Sequence, residues 1–114
     1  MSVEIQTTVT NGVTVIACSG QITLGLGSNQ FRTVLRELLQ QGARAIVVDF
    51  SQVSYLDSTG IGELVGAYTA AHNASASVKL AAVPEKILEL LEITKLNTVF
   101  DIYPDRASAV AAFA

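Results

Sequence analysis

The sequence is poor in the residues that build most chemical sites. It has one cysteine, Cys18, so an intramolecular disulfide is impossible and no cysteine cluster is available for a metal. A lone thiol fits a reducing compartment. It has one histidine, His72, with no ligand four residues on. Charged residues make up only 15% of the chain, and the net charge is −3. The seven basic residues (Arg32, Arg36, Arg44, Lys79, Lys86, Lys95 and Arg106) are scattered. Direct nucleic-acid binding needs a basic strip that neutralises a row of phosphates, and an anionic membrane surface needs a basic cluster; neither is present. No apolar run is long enough to span a bilayer. The start, MSVEIQTTVT, lacks the basic and apolar regions of a secretory signal. A cytoplasmic chain without membrane insertion is expected.

What remains is apolar and periodic. Half of the 114 residues are hydrophobic, enough for one core, and residues 1–114 are read as one domain. Residues 3–10 place Val3, Ile5, Thr7 and Val9 on one side of a strand. Asn11-Gly12 follows as a hairpin turn, because both positions tolerate positive φ. Residues 13–19 return, and Gly20 ends them. A first helix is expected with Ser28 as N-cap. Its stripe is Phe31, Val34, Leu35, Leu38 and Leu39, and Gly42 closes it. Residues 44–50, RAIVVDF, read as a strand buried on both faces. A second helix begins near Ser58 and buries Ile61, Leu64, Val65, Tyr68 and Ala71. Residues 77–83 form another strand. Pro84 opens a third helix that buries Ile87, Leu88, Leu90 and Leu91. Residues 98–103 form the last strand, and a short helix from about Asp105 carries Val110 and Phe113. The order β-β-α-β-α-β-α-β-α predicts an α/β fold: a mixed, mostly parallel sheet that opens with a hairpin and is covered by about four helices.

Residues 49–66, DFSQVSYLDSTGIGELVG, carry the chemical signal. A buried strand crosses a short loop into a helix at Asp57-Ser58. Capping alone accounts for Asp57 and Ser58, since Asp and Ser are favoured N-caps. It does not account for Gly60 and Gly62, each of which costs about 1 kcal/mol against Ala inside a helix. Two glycines there leave bare backbone around Ser58, where another protein can approach closely. The first N–H groups of the helix lack internal partners and carry partial positive charge, so an anion on Ser58 is well placed.

Hydrolase chemistry fits poorly. Asp-Ser-Thr-Gly lacks the first glycine of a G-x-S-x-G elbow. His72 lies about 14 residues along the same helix from Ser58, roughly 21 Å away, whereas a triad needs hydrogen-bond contact. The chain is therefore not expected to be an enzyme. Cys18 sits inside an apolar strand as a small hydrophobe. Tyr55 and Leu56 belong either to the core or, if exposed, to an interface. Glu63 is expected on the exposed face of the second helix, as a solvated charge or a partner contact.

The run Leu56-Asp57-Ser58-Thr59-Gly60-Ile61-Gly62, after the strand Ile46 to Phe50, resembles the phosphorylation loop of anti-sigma factor antagonists, which belong to the STAS domain family. The resemblance covers nearly the whole chain, from the hairpin and the Gly20 turn to the closing Ile102-Tyr103. It implies a STAS-type fold and a regulatory role. The unphosphorylated form would bind an anti-sigma factor that is also a serine kinase, and so free a sigma factor. Phosphorylation of Ser58 would end that binding, and a PP2C-type phosphatase would restore it. Asp57, Thr59, Gly60, Ile61, Gly62 and Glu63 would shape the contact surface. Thr23, in Gly20-Gln21-Ile22-Thr23, would join them at a position where many relatives carry an acid. No cofactor or metal is implied, and a monomer fits a switch that exposes one face. STAS-like domains also serve as soluble subunits of lipid ABC transporters or as pieces of sensory scaffolds, an alternative that needs no phosphorylation. The segment Leu24-Gly25-Leu26-Gly27-Ser28 reads as a glycine-rich loop into a capped helix.

Overall fold

In a computed structural model the described residues are 3–114; Met1 and Ser2, the first two residues of the segment read for a signal, lie outside them. Ten elements follow one another: β1 (Val3–Thr10), β2 (Val13–Ile22), α1 (Leu26–Gln40), β3 (Ala45–Leu56), α2 (Ser58–Asn73), β4 (Ser77–Ala81), α3 (Glu85–Ile93), a 3-10 turn (Leu96–Thr98), β5 (Ile102–Tyr103) and α4 (Arg106–Ala111). The five strands lie side by side in chain order. β1 pairs antiparallel with β2 from Val3↔Gly20 to Thr10↔Val13. β2–β3, β3–β4 and β4–β5 are parallel. The turn at Asn11-Gly12 has φ of 53° and 79°, the positive values that the Asn-Gly pair supplies cheaply.

Strand alternation divides the core into two layers. Ile16, Cys18, Ile46, Val48, Phe50 and Leu80 face one side, where Phe31, Leu35, Leu64, Ile87 and Leu91 from α1, α2 and α3 cover them. Val13, Val15, Val47 and Ala81 face the other side, against Ala109 and Val110 of α4. β3 is buried from Ile46 to Phe50, as its continuous apolar run requires. Asp49 falls on the α4 side. Its carboxylate accepts from Arg106 Nε at 2.9 Å and pairs with the same guanidinium at 2.8 Å, while its other oxygen accepts the Ser51 N–H at 2.9 Å. Burial pushes this carboxyl up, but the Ser51 and Arg106 hydrogen bonds outweigh it and hold it below the usual carboxylate range.

Several boundaries differ from the sequence reading. β2 runs through Gly20 to Ile22, because Gly20 takes φ 110° inside the strand and the register with β3 shifts beside it. β3 continues past Phe50 to Leu56. Val53 and Leu56 anchor this polar extension in the core, and Ile22 pairs with Leu56. α1 starts at Leu26 behind Gly25, not at Ser28; Ser28 is buried in its first turn and donates its N–H to the Thr23 carbonyl at 3.0 Å. β4 stops at Ala81, since Ala82 turns to φ 54°. The strand expected over 98–103 shrinks to Ile102–Tyr103: Val99 and Phe100 donate to the Leu96 carbonyl in a turn, which drops Phe100 into the core. On α2, Leu64, Ala67 and Ala71 are buried, whereas Val65 and Tyr68 are exposed. Tyr68 instead covers Phe100 edge-on and stacks on His72.

Candidate functional site

The parallel sheet delivers the end of β3 to the start of α2, and the site forms there. Asp57 is extended (φ −95°, ψ −174°) and is the N-cap. Its carbonyl accepts the Ile61 N–H at 2.9 Å, the first bond of the helix. Its side chain does two separate things. Oδ1 accepts the Gly60 N–H at 2.9 Å, the ordinary capping bond. Oδ2 accepts the Leu24 N–H at 3.0 Å, from the loop between β2 and α1. These two bonds, Leu24's first, hold the carboxyl below the usual carboxylate range.

Because Asp57 caps the helix, Ser58 does not. Ser58 is the first helical residue and is exposed, and no hydrogen bond to its hydroxyl is present among the described residues. Thr59 and Ile61 are half-buried, Ile61 packing on the core edge.

The two glycines serve opposite purposes. Gly60 is buried: a Cβ there would lie 2.2 Å from the Ile22 carbonyl oxygen and 2.5 Å from Leu56 Cδ1. Its glycine is demanded by internal packing, which corrects the expectation that both glycines bare the surface. A Cβ on Gly62 would meet nothing within 4 Å. Gly62 is the residue that keeps the helix start flat toward solvent.

Glu63 is not the free surface acid expected. It is only 12% exposed and receives Arg32 of α1 in a bidentate pair, Nε lying 3.1 Å from each carboxylate oxygen. The pair pushes the Arg32 guanidinium up, through the hydrogen bonds to Glu63 and then its charge. It ties α1 to α2 beside the site. Thr23 is half-buried, and its carbonyl accepts from Ser28, so it shapes the loop.

Two exposed apolar residues flank the site, Tyr55 (55% exposed) three residues before Ser58 and Leu24 (78%), whose N–H Asp57 holds; Leu26 (63%) is exposed two residues beyond Leu24, on the β1 side of α1. Leu56, next to Tyr55, belongs to the core. From sequence, Leu24 and Leu26 are expected only as parts of a glycine-rich loop into α1, with no contact role. The available signal was two leucines set among glycines with no apolar periodicity to bury them.

Elsewhere the chemistry is quiet. Cys18 is buried, and burial, aided by the Asp49 charge, pushes its thiol up to about 12; it packs as a small hydrophobe. His72 lies at the far end of α2, exposed and stacked on Tyr68. Among the described residues no group of His, Cys, Asp and Glu is arranged to hold a metal, and no helix is long and apolar enough to cross a membrane.

Comparisons with known proteins converge on one architecture. The family model described as "STAS domain" matches residues 4–109. The anti-sigma-B factor antagonist of Bacillus subtilis is 38% identical over 73 residues, which is 60% of this chain and 66% of that protein's length. The crystal structure of an anti-sigma factor antagonist from Mycobacterium paratuberculosis superposes with a TM-score of 0.87 at 22% identity, over 97% of this chain and 93% of that one. The Bacillus cell fate determinant SpoIIAA in its phosphorylated form superposes with a TM-score of 0.75 at 18% identity, over 99% of this chain and all of that one. At such identities the two structures speak for the fold.

Proposed function

The chain belongs to the STAS domain family, and from that premise we propose that it is an anti-sigma factor antagonist switched at Ser58. The unmodified domain binds an anti-sigma factor serine kinase and so releases a sigma factor; the phosphorylated domain does not. It reaches transcription through protein partners, without catalysis, cofactor or nucleic-acid contact of its own. Residues 1–114 act as one cytoplasmic, monomeric domain.

The observation that carries this reading is the division of labour between Asp57 and Ser58. Asp57 caps α2, which leaves the Ser58 hydroxyl exposed and unengaged. Beside it Gly62 leaves the helix surface open, and Tyr55 stands exposed nearby as an anchor. In the kinase reaction the Ser58 oxygen bonds to the γ-phosphorus of ATP. The bond from that phosphorus to ADP breaks, and the hydroxyl proton leaves to a base or to water. A PP2C-type phosphatase hydrolyses the ester and returns the hydroxyl.

The phosphate adds about −1.5 to −2 charges at neutral pH. At the N-terminus of α2 it meets a favourable helix dipole, although Asp57 already takes the Gly60 N–H, so the free domain tolerates it. Inside a close interface the same charge is desolvated without a partner. A tenfold loss of affinity needs only about 1.4 kcal/mol, well within the cost of burying such a group unpaired.

The test is incubation with purified anti-sigma-type serine kinases and ATP, followed by mapping of phosphate by mass spectrometry. The expected result is a single phosphate on Ser58, absent in Ser58→Ala. No phosphate, with kinases active on their own substrates, contradicts the proposal.

A further inference from the structure

The Ser58 surface does not end at α2. The Asp57 carboxylate reaches in two directions, and its second bond fixes the Leu24 backbone at 3.0 Å. Other constraints fix the same loop. Gly25 takes φ 100°, a conformation that L side chains rarely adopt. The Asn29 N–H donates to the Gly25 carbonyl at 3.1 Å and the Ser28 N–H to the Thr23 carbonyl at 3.0 Å. Gly27 lies so close to the Gln21 carbonyl that a Cβ would sit 2.6 Å from its oxygen. Leu24 in the loop and Leu26 at the head of α1 are therefore presented by a braced backbone, while being among the most exposed apolar side chains of the described residues. Leu26 also lines a groove of about 370 Å³ between β1 and α1, with Ile5, Gln30 and Val34 among its walls. From Gln21 to Phe31 the sequence carries no charged residue. The next charge on α1, Arg32, is already neutralised by Glu63.

We infer that Leu24, whose backbone the Asp57 carboxylate holds at the head of α2, and the adjoining Leu26 on the β1 side of α1 form an apolar arm of the partner surface that selects which kinase this chain accepts. The inference rests on the proposed function and deepens it. The occupant is an uncharged, apolar patch of the same kinase that modifies Ser58, because the arm is continuous with the Ser58 surface through Asp57 and offers no charge to pair. Asp57 acts here as a positioning residue: it accepts the Leu24 N–H and so sets where Leu24 stands.

The experiment measures the affinity of the purified kinase that phosphorylates Ser58 for three variants. Leu24→Ser with Leu26→Ser is expected to weaken binding tenfold or more while leaving the unfolding midpoint in place, since both side chains are exposed. Val9→Ser removes another exposed apolar side chain, at the opposite end of the sheet, and is expected to change nothing. Asp57→Ala is expected to weaken binding alone and to add little in the double-serine background. It should also speed hydrogen exchange at the Leu24 amide while core amides such as Val48 stay protected. Serine variants that bind within twofold of the parent, yet are still phosphorylated on Ser58, overturn the inference and leave the proposed function standing. A kinase panel that never modifies Ser58 overturns both. If Asp57→Ala does not fold, the serine pair decides the matter by itself.

Discussion

α2 and α4 begin in the same way and end up with different work. Each is preceded by an extended aspartate whose Oδ1 accepts the N–H three residues on: Asp57 from Gly60 at 2.9 Å, Asp105 from Ser108 at 2.7 Å. Both carboxyls are held below the usual range, Asp57 by the Leu24 and Gly60 amides and Asp105 by Ser108. At α4 the surroundings are structural. Ala109 and Val110 pack on the sheet, and Arg106 reaches across to Asp49. At α2 the second carboxylate oxygen crosses to the exposed Leu24, the first helical residue is a free serine, and Tyr55, three residues before it, is exposed. The cap builds a helix in both places. Only at α2 does the capping carboxylate itself also hold a second segment of the chain, and that extra bond marks the surface on which the proposed switch depends.

The comparison sharpens on the two glycines of α2. Gly60→Ala is expected to have the largest effect, a loss of roughly 3 kcal/mol in urea unfolding, at the upper end of overpacking costs, because the Ile22 carbonyl cannot yield. At the α4 end, Asp49→Ala removes the acceptor of both Arg106 and the Ser51 amide. It should cost about 1–3 kcal/mol by the same measurement and leave kinase binding unchanged. Equal losses of binding from Asp49→Ala and Asp57→Ala would erase the distinction drawn between the two helix starts. Gly62→Ala is expected to do the reverse of Gly60→Ala. It gains about 1 kcal/mol of helix propensity, with nothing to clash against, while weakening the partner complex by roughening the flat turn. The gentlest perturbation is acid. Asp49, Asp57 and Asp105 all hold their protons less tightly folded than unfolded. Their contribution is therefore complete above the unfolded value of about 3.9 and is lost as pH falls through their lower folded values. Urea midpoints should be flat from pH 7 to 5 on account of these groups and fall below pH 4. In Asp57→Ala and Asp105→Ala, each remeasured across that range, the fall should be shallower.

The element order was legible because the apolar patterning is strong: the buried run from Ile46 to Phe50, the stripe from Phe31 to Leu39, and Asn11-Gly12 each point one way. The boundaries that escaped were set by tertiary contacts. Residues 51–55 look like a loop, but pairing of Gln52, Val53 and Tyr55 with β2 keeps the segment in the strand. Ser28 looks like a cap, yet Gly25 and the approach of Gly27 to Gln21 start α1 earlier. At the site, the Asp-Ser-Thr-Gly-Ile-Gly run located Ser58 correctly at the head of a helix. It left unresolved which residue caps and which is free, because both types cap well. Nor did local sequence distinguish Gly60 from Gly62, since only the packed neighbours Ile22 and Leu56 tell them apart. The Arg32–Glu63 pair and the Asp57–Leu24 bond join positions about thirty residues apart and carry no local signature.

The most direct test of the central claim is a calorimetric titration of the anti-sigma kinase, without ATP, into two forms of the full chain: unmodified, and carrying phosphoserine installed at position 58 during synthesis. The phosphorylated form is expected to keep its unfolding midpoint and to bind at least tenfold more weakly. Equal affinities of the two forms would contradict it.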